Sequence, residues 1–133
     1  MSPTRSLLGV VHLGARPSAS RHESMAEVLD RALADAKAYK EAGFDGLVIE
    51  NFGDAPFRRG TSDDPVTPDV VAGIAVAADR VHRATGLPIG INCLRNDGVA
   101  AYGIAAVTAA RWVRVNVLTG AYVTDQGVIS GEA

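Results

Sequence analysis

Four short apolar, β-branched segments alternate with three helix-like segments, and this alternation limits the possible fold more than any other feature. The β-segments cover residues 7–13, 44–51, 87–94 and 111–118. Strands that alternate with helices predict a parallel sheet with right-handed crossovers. The predicted order is βαβαβαβ, an α/β fold, and 133 residues are enough for a single domain with its own core.

Capping signals mark the ends of the three helices. A capping box begins the first helix, a proline at the first helical position begins the second, and glycines follow both. The predicted helices run from the cap Ser24 to about Ala42, from the cap Thr67 to Thr85, and from Gly98 to Ala110 behind Asn96 or Asp97. Residues 16–20 are expected to form a loop, and residues 119–133 a polar, loop-sized tail.

Each strand ends in polar side chains, which suggests a common site. Alternation places His12, Glu50, Asn92 and Asn116 near one level of the sheet, with Arg114 one layer deeper. The opposite phase is aliphatic and is expected to pack against helices: Leu47, Ile49, Ile89, Ile91, Val113, Val115 and Val117.

A (β/α)8 barrel gathers such strand ends on one face, whereas a doubly wound sheet usually carries a glycine-rich phosphate motif after its first strand. Residues 11–17 contain no such motif. Since a whole barrel takes about 250 residues, the sequence predicts half of a TIM barrel. The chain would then be a fragment, or two half-barrels would pair as a homodimer, or the sheet would stay open.

The strand-end residues suggest proton-transfer chemistry. Glu50 is the candidate base, because a carboxylate at an enclosed strand end can be tuned by its neighbours. The alternative for Glu50 is a structural ion pair with Arg114. His12 is the candidate acid, and the alternative is a hydrogen-bonded core imidazole.

The remaining candidates would bind substrate. Amides can bind hydroxyl or carbonyl groups, and a guanidinium can hold an anion by its fork. Each has a structural alternative: polar filling of the interior, helix capping or a turn. The predicted substrate-binding set is Asn51, Asn92, Arg95, Asn96, Arg114, Asn116 and Asp125.

Composition excludes several function classes. A net charge of −2 gives no case for binding nucleic acid or an anionic membrane. No run approaches the roughly 20 apolar residues of a membrane span, and residues 1–6 do not resemble a signal peptide. The single cysteine, Cys93, is expected to be buried and suggests a reducing cytoplasmic compartment, whereas His22 and His82 are expected to be solvated. No metal or cofactor is expected.

Four motifs follow one another at characteristic spacing. They are residues 9–13 (GVVHL), 48–57 (VIENFGDAPF), 90–97 (GINCLRND) and 114–127 (RVNVLTG to TDQG). With these motifs the chain resembles the BtpA/SgcQ family. The resemblance implies a barrel of the ribulose-phosphate-binding type and a chain about twice as long, whose later loops commonly build the phosphate site.

The family is named for photosystem I biogenesis, while other members look like sugar-pathway proteins. We therefore expect an isomerase-, lyase- or epimerase-type enzyme, or a remnant of one, that acts on a small polyhydroxylated, phosphorylated metabolite. A non-enzymatic biogenesis or stability factor is the alternative. A third possibility is a half-barrel without activity of its own.

Overall fold

A four-stranded parallel sheet forms the centre of the computed structural model, which describes residues 5–15 and 23–133. Its strands, in spatial and chain order, are β1 Leu8–His12, β2 Gly46–Glu50, β3 Ile89–Asn92 and β4 Ala110–Arg114. The helices α1 Met25–Glu41, α2 Pro68–Thr85 and α3 Gly98–Val107 connect them. The predicted α/β fold is confirmed, and the sheet is consistent with half of a barrel.

The strands and the third helix are shorter than predicted. The largest difference is in β4, which was expected to reach residue 118 but ends at Arg114. β-branched composition continues past that point, although the chain has already left the sheet. The loop predicted at residues 16–20 and the solvated His22 lie outside the described residues.

Residues 119–133, expected to form a polar, loop-sized tail, contain regular structure. They contain an antiparallel hairpin of β5 Ala121–Thr124 and β6 Gly127–Ser130. Gly127 follows the turn with a φ of 89°, a conformation that glycine adopts without strain. The apolar side chains Tyr122, Val123 and Val128 are exposed, so the segment lacks the usual half-buried alternation of a strand.

The hydrophobic core lies between the sheet and the helices. The β2 and β3 residues predicted to face the helices, Leu47, Ile49, Ile89 and Ile91, are fully buried. Burying one such side chain contributes about 1.5–3 kcal/mol. The helices meet them mainly with small residues, which permit close packing: Val28, Ala32 and Ala36 of α1, Ile74, Ala77 and Ala78 of α2, and Ala101 and Ile104 of α3.

Capping follows the sequence with one refinement. The Ser24–Glu27 capping box is present, with the Ser24 amide donating to Glu27 Oε2 at 2.8 Å. Asp97, and not Asn96, caps α3 by accepting from the Ala100 amide at 2.8 Å. His82 is half-buried, with Nδ1 2.9 Å from the Leu87 carbonyl oxygen, so the expectation that it is solvated was wrong.

The other face of the sheet carries the functional candidates. One row across it consists of Val10, Val48, Gly90 and Trp112. The Trp112 indole lies over Gly90, and a side chain at position 90 would collide with it. The next row toward the carboxyl ends of the strands consists of His12, Glu50, Asn92 and Arg114.

Candidate functional site

The last residues of the four parallel strands form one cluster around a buried carboxylate. Glu50 is 5% exposed and ends β2, where it lies between His12 of β1 and Asn92 of β3 in the strand register. Oε1 of Glu50 is 3.4 Å from Nε2 of His12. Oε2 accepts a hydrogen bond from Nδ2 of Asn92 at 2.8 Å. The carboxylate is thus held from both sides.

Arg114 lies on the same row, not one layer deeper as the sequence suggested. The register pairs it with Asn92, and its Nη1 is 3.6 Å from Oε2 of Glu50. Asn116 lies beyond the end of β4, and its Oδ1 accepts a hydrogen bond from Nδ2 of Asn92 at 3.1 Å. Alternation assigns the face of each residue but not the register between strands, which shifts between Ile89 and Gly90.

His12 lies on the side of this cluster that faces solvent. Its side chain is 52% exposed, and its ring stacks on Phe52 with a centroid distance of 4.7 Å. Phe52 begins a short 3₁₀ turn directly after Asn51. Sequence reasoning did not select Phe52 as a site residue, although it lies within the motif 48–57. The stacking limits the positions that the imidazole can take beside Glu50.

The cluster combines the groups that proton transfer needs. A buried carboxylate can accept a proton, and an adjacent imidazole, half in solvent, can exchange one with water or substrate. The Arg114 side chain is 57% exposed, so several of its N–H groups are available to an anion. The five residues that the structure brings together are His12, Glu50, Asn92, Arg114 and Asn116.

A second group of predicted residues surrounds Arg95. The Arg95 guanidinium lies 5.0 Å from the ring centroid of Phe57, and it donates to Gln126 Oε1 at 2.8 Å and to Asp125 Oδ1 at 2.7 Å. Hydrogen bonding to Gln126, together with the positive charge of Arg95, holds the pKa of Asp125 below its ordinary value. Arg95 therefore joins the β5–β6 hairpin to the loop that follows β3. Phe57 and Gln126 were not among the predicted site residues.

Asn51 and Asn96 are buried, and both side chains bond to backbone groups of neighbouring loops. Asn51 is 2% exposed and accepts from the Leu94 amide at 2.7 Å, while its own amide donates to the Leu94 carbonyl at 3.4 Å. Asn96 is 6% exposed and makes the same pair of bonds to Val117, at 2.7 Å and 2.9 Å. Each side chain thereby joins two loops at the carboxyl end of the sheet.

The long loop between β2 and α2 is also anchored. Arg58 forms an ion pair with Asp64 at 2.8 Å, and Arg59 donates to the Val128 carbonyl at 3.0 Å. The Ser62 hydroxyl donates to the Glu132 carboxylate at 2.9 Å. The loop and the hairpin therefore form a connected layer above the strand ends. The Arg58 side chain nevertheless stays 55% exposed, and that of Arg59 39% exposed.

Two kinds of feature are not found among the described residues. Across residues 5–15 and 23–133, the helices lack the length and apolar run needed to cross a bilayer. In the same residues, no three His, Cys, Asp or Glu side chains are grouped so that they could hold a metal ion.

Comparisons with known proteins identify relatives over nearly the whole chain. The model of the BtpA family matches residues 3–133. An uncharacterized protein of Pyrococcus abyssi is 46% identical over 96% of this chain and 48% of its own length. Another from Methanocaldococcus jannaschii is 44% identical over 100% of this chain and 49% of its own.

A relative with a functional name is the photosystem I biogenesis protein BtpA of Synechocystis, which is 42% identical over 96% of this chain and 43% of its own length. The chain thus spans about half the length of the curated relatives it matches. No solved structure matches the chain significantly.

Proposed function

The chain belongs to the BtpA family, and we propose that it carries the proton-transfer part of an enzyme site for a small polyhydroxylated, phosphorylated metabolite. The observation that carries the proposal is the buried Glu50 carboxylate held between His12 and Asn92 at the carboxyl end of a parallel sheet. That edge is where α/β proteins commonly bind their substrates.

Glu50 acts as the base in this proposal. It removes a proton from a carbon next to the substrate carbonyl, and His12 donates a proton to the oxygen that becomes negative. This division of work fits their environments, because Glu50 is enclosed while His12 reaches solvent. The reaction class is that of an isomerase, epimerase or aldolase-like lyase.

The other residues orient the substrate. Arg114 binds a phosphate or carboxylate through N–H groups that Glu50 does not use. The Asn116 amide binds a hydroxyl, and Asn92 holds both Glu50 and Asn116 in place. In this proposal Arg95, which already donates to Asp125, binds a second anionic group through its remaining N–H groups. Asn51 and Asn96 keep the loops in position, so we assign them a positioning role.

Solvent deuterium exchange tests the base assignment. Ribulose 5-phosphate is incubated in D₂O with the chain fused to the unmatched half of the Pyrococcus abyssi relative, so that the site can close, and deuterium incorporation at carbon is followed by NMR. We expect exchange with the wild type and a loss of at least about 100-fold in Glu50→Gln, the usual lower range for a general base. Asp79→Asn, a carboxylate-to-amide change on the exposed side of α2, is the matched control. Undiminished exchange in Glu50→Gln would contradict the assignment.

A biogenesis factor is the second candidate, and the observation that favours it is the name of the Synechocystis relative. Such a factor needs a surface for a partner and does not need the Glu50 cluster. Metabolite profiles of cells carrying Glu50→Gln separate the two, since only the enzyme proposal expects a metabolite to accumulate.

Closure of the site belongs to the proposal as well. In a half-barrel the row of strand ends is open on one side, and His12 and Arg114 are more than half exposed. Either the half of the relatives that this chain does not match or a second copy of the chain would complete the enclosure. We place the activity in the cytoplasm, where the buried Cys93 thiol stays reduced.

A further inference from the structure

Below the Glu50 cluster, one aromatic side chain covers the inner face of the sheet. Trp112, the only tryptophan of the chain, is half-buried on β4, one row below Arg114. Its five-membered ring occupies the place where a side chain on Gly90 of β3 would extend. Its Cη2 atom lies 3.0 Å from the place of a Cβ on Gly46 of β2. The indole therefore extends from β4 across β3 to β2, beneath the cluster.

Glycines on the two neighbouring strands make room for this ring. A glycine inside a strand often marks a close approach by another group. A side chain at position 90 would collide with the indole, and a Cβ at position 46 would also lie 2.9 Å from Cδ2 of Leu8. The sequence thus combines one large side chain with two positions that have none. The inner-face side chains below the cluster are called the floor here: Leu8, Val10, Val48 and Trp112.

The floor offers a substrate almost no hydrogen bonds. Three of its side chains are aliphatic, and the fourth is an indole with one N–H group. The polar side chains of the cluster lie two or more residues further along their strands, which is at least about 6.6 Å closer to the carboxyl ends. A hydroxyl group that entered below the cluster would lose its water without gaining comparable partners, which is unfavourable. The hydroxyl groups of a substrate therefore stay at the level of the cluster.

The groups that act on a substrate lie close together above the floor. Nε2 of His12 is 3.4 Å from one oxygen of Glu50, and Nη1 of Arg114 is 3.6 Å from the other. The proton donor, the base and the anion-binding guanidinium therefore meet around one carboxylate. A short carbon chain can join a phosphate on Arg114 to a reacting carbon at Glu50. A longer chain has to bend between these two contacts, and the floor closes the space below them.

We propose that Trp112 determines the substrate specificity of the Glu50 site: its indole receives the C–H side of the substrate and closes the interior to longer chains. The inference rests on the proposed function and narrows the substrate class to short-chain sugar phosphates bound along the row of strand ends. An aromatic ring suits this task because it presents a large, rigid apolar face. The site would admit ribulose 5-phosphate and discriminate against its six-carbon homologue.

Fluorine NMR tests whether the ring contacts the substrate. The fusion used for deuterium exchange is labelled with 5-fluorotryptophan, and the signal that Trp112→Phe removes is that of Trp112. We expect ribulose 5-phosphate to shift this signal saturably, whereas inorganic phosphate, which has no carbon chain, leaves it in place. The shift should persist in Glu50→Gln, which loses the base but keeps the floor. Contact with Trp112 is thereby decided independently of whether Glu50 is the base.

Replacing the indole tests its effect on specificity. In Trp112→Ala of the fusion, kcat/KM for exchange into fructose 6-phosphate, relative to ribulose 5-phosphate, is expected to rise at least about tenfold, the lower range for one carbon in a tight pocket. Ring closure of fructose 6-phosphate in solution cancels, because the ratio is compared between variants. Trp112→Leu, which keeps an apolar side chain, covers the case in which circular dichroism shows that Trp112→Ala does not fold.

Gly90→Ala moves the floor without removing it. The added methyl group displaces the indole from its place. We expect the Trp112 fluorine signal to shift before any ligand is added, and KM for ribulose 5-phosphate to rise at least threefold. Gly103→Ala on α3 is the matched control, since it adds the same methyl group where no atom lies within 4 Å. It should leave both the fluorine signal and KM unchanged.

Two results would overturn the inference. One is a Trp112 fluorine signal that ribulose 5-phosphate leaves in place or that inorganic phosphate moves equally, since the ring would then not contact the carbon chain. The other is a ratio of six-carbon to five-carbon exchange that stays the same when the indole is replaced by alanine or leucine, because Trp112 would then have no part in selecting the substrate.

Discussion

The Glu50 carboxylate is the most constrained charged group of the cluster. It is almost fully buried, and three neighbours, His12, Asn92 and Arg114, contact its two oxygens. A buried charge is costly unless it is paired and hydrogen-bonded. Asn92 supplies the shortest of these contacts and also reaches Asn116, so the geometry of the cluster depends on one amide group.

Replacing Asn92 by alanine tests this dependence. The change removes the donor to Glu50 Oε2 and leaves a buried acceptor less satisfied, so we expect a loss of about 1–3 kcal/mol in the free energy of unfolding. Urea denaturation measures it, with the exposed Asp79→Ala as control. A change below about 0.5 kcal/mol, typical of surface substitutions, would contradict the inferred role.

His12 is held differently from Glu50, by stacking on Phe52 and not by burial. Phe52→Leu keeps an apolar side chain but removes the ring. Because Phe52 is 56% exposed, we expect little change in stability and at least a threefold loss of deuterium exchange into ribulose 5-phosphate. If exchange were unchanged, Phe52 would have no part in placing the imidazole.

At the scale of elements, paired asparagine bonds hold the loops above the sheet. Asn51 joins the turn after β2 to Leu94, and Asn96 joins the turn after β3 to Val117, each through one donor and one acceptor. The two asparagines follow successive strands and bond in the same way. Together they fix the loops from which Phe52 and Asn116 reach the Glu50 cluster.

Asn96→Ala should therefore loosen the segment after β4. The Val117 amide and carbonyl lose their partner inside a buried region, which costs about 1–3 kcal/mol per unsatisfied group. We expect faster hydrogen exchange at the Val117 amide, measured by NMR, while the amide of Leu94, held by Asn51, keeps its protection. Equal loss of protection at both amides would indicate global unfolding and not a local role.

The contact between the hairpin and Arg95 should depend on pH. The folded pKa of Asp125 lies below the ordinary aspartate value of 3.8, chiefly through its hydrogen bond with Gln126 and with help from Arg95. The stabilisation is therefore fully present above pH 3.8 and is lost as pH falls through the lower folded pKa. We expect amide chemical shifts of Thr124 and Gly127 to change below about pH 4 in the wild type and not in Asp125→Asn. Persistence of the transition in Asp125→Asn would assign it to another group.

The local sequence pattern predicted the helices, the strands and the faces of the strands well. Alternation and capping depend only on residues that are close together in the sequence. It placed Ile49 toward the helices and Glu50 toward the site, and it identified the Ser24 cap. It did not predict that Arg114 lies level with Asn92, because register depends on contacts between strands, such as Trp112 over Gly90. The loop bonds of Asn51 and Asn96 also join residues far apart in sequence.

At the scale of the whole molecule, the parallel sheet is consistent with half a barrel, and two surfaces of the described residues have no cover. One is the face of the sheet that carries the Glu50 cluster. On this face Leu8, at the start of the strand that ends in His12, is 43% exposed. The other is the outer side of α3, where Val99, Tyr102 and Val107 are exposed. A chain that exposes this much apolar surface is expected to associate with a complementary partner.

Dye binding tests this expectation at low cost. The chain alone should enhance the fluorescence of a hydrophobic probe such as anilinonaphthalene sulfonate, and fusion to the unmatched half of the Pyrococcus abyssi relative should reduce it several-fold. Sedimentation of the unfused chain shows in the same experiment whether a second copy provides the cover. Strong dye binding by a well-folded fusion would contradict closure by that half.

The most direct measurement is a crystal structure of that fusion with ribulose 5-phosphate bound. The account predicts a substrate carbon within about 3.5 Å of a Glu50 oxygen, a hydroxyl or carbonyl oxygen facing His12, and an anionic group on Arg114. A ligand bound elsewhere, with the Glu50 carboxylate still enclosed by Asn92 and out of its reach, would contradict it.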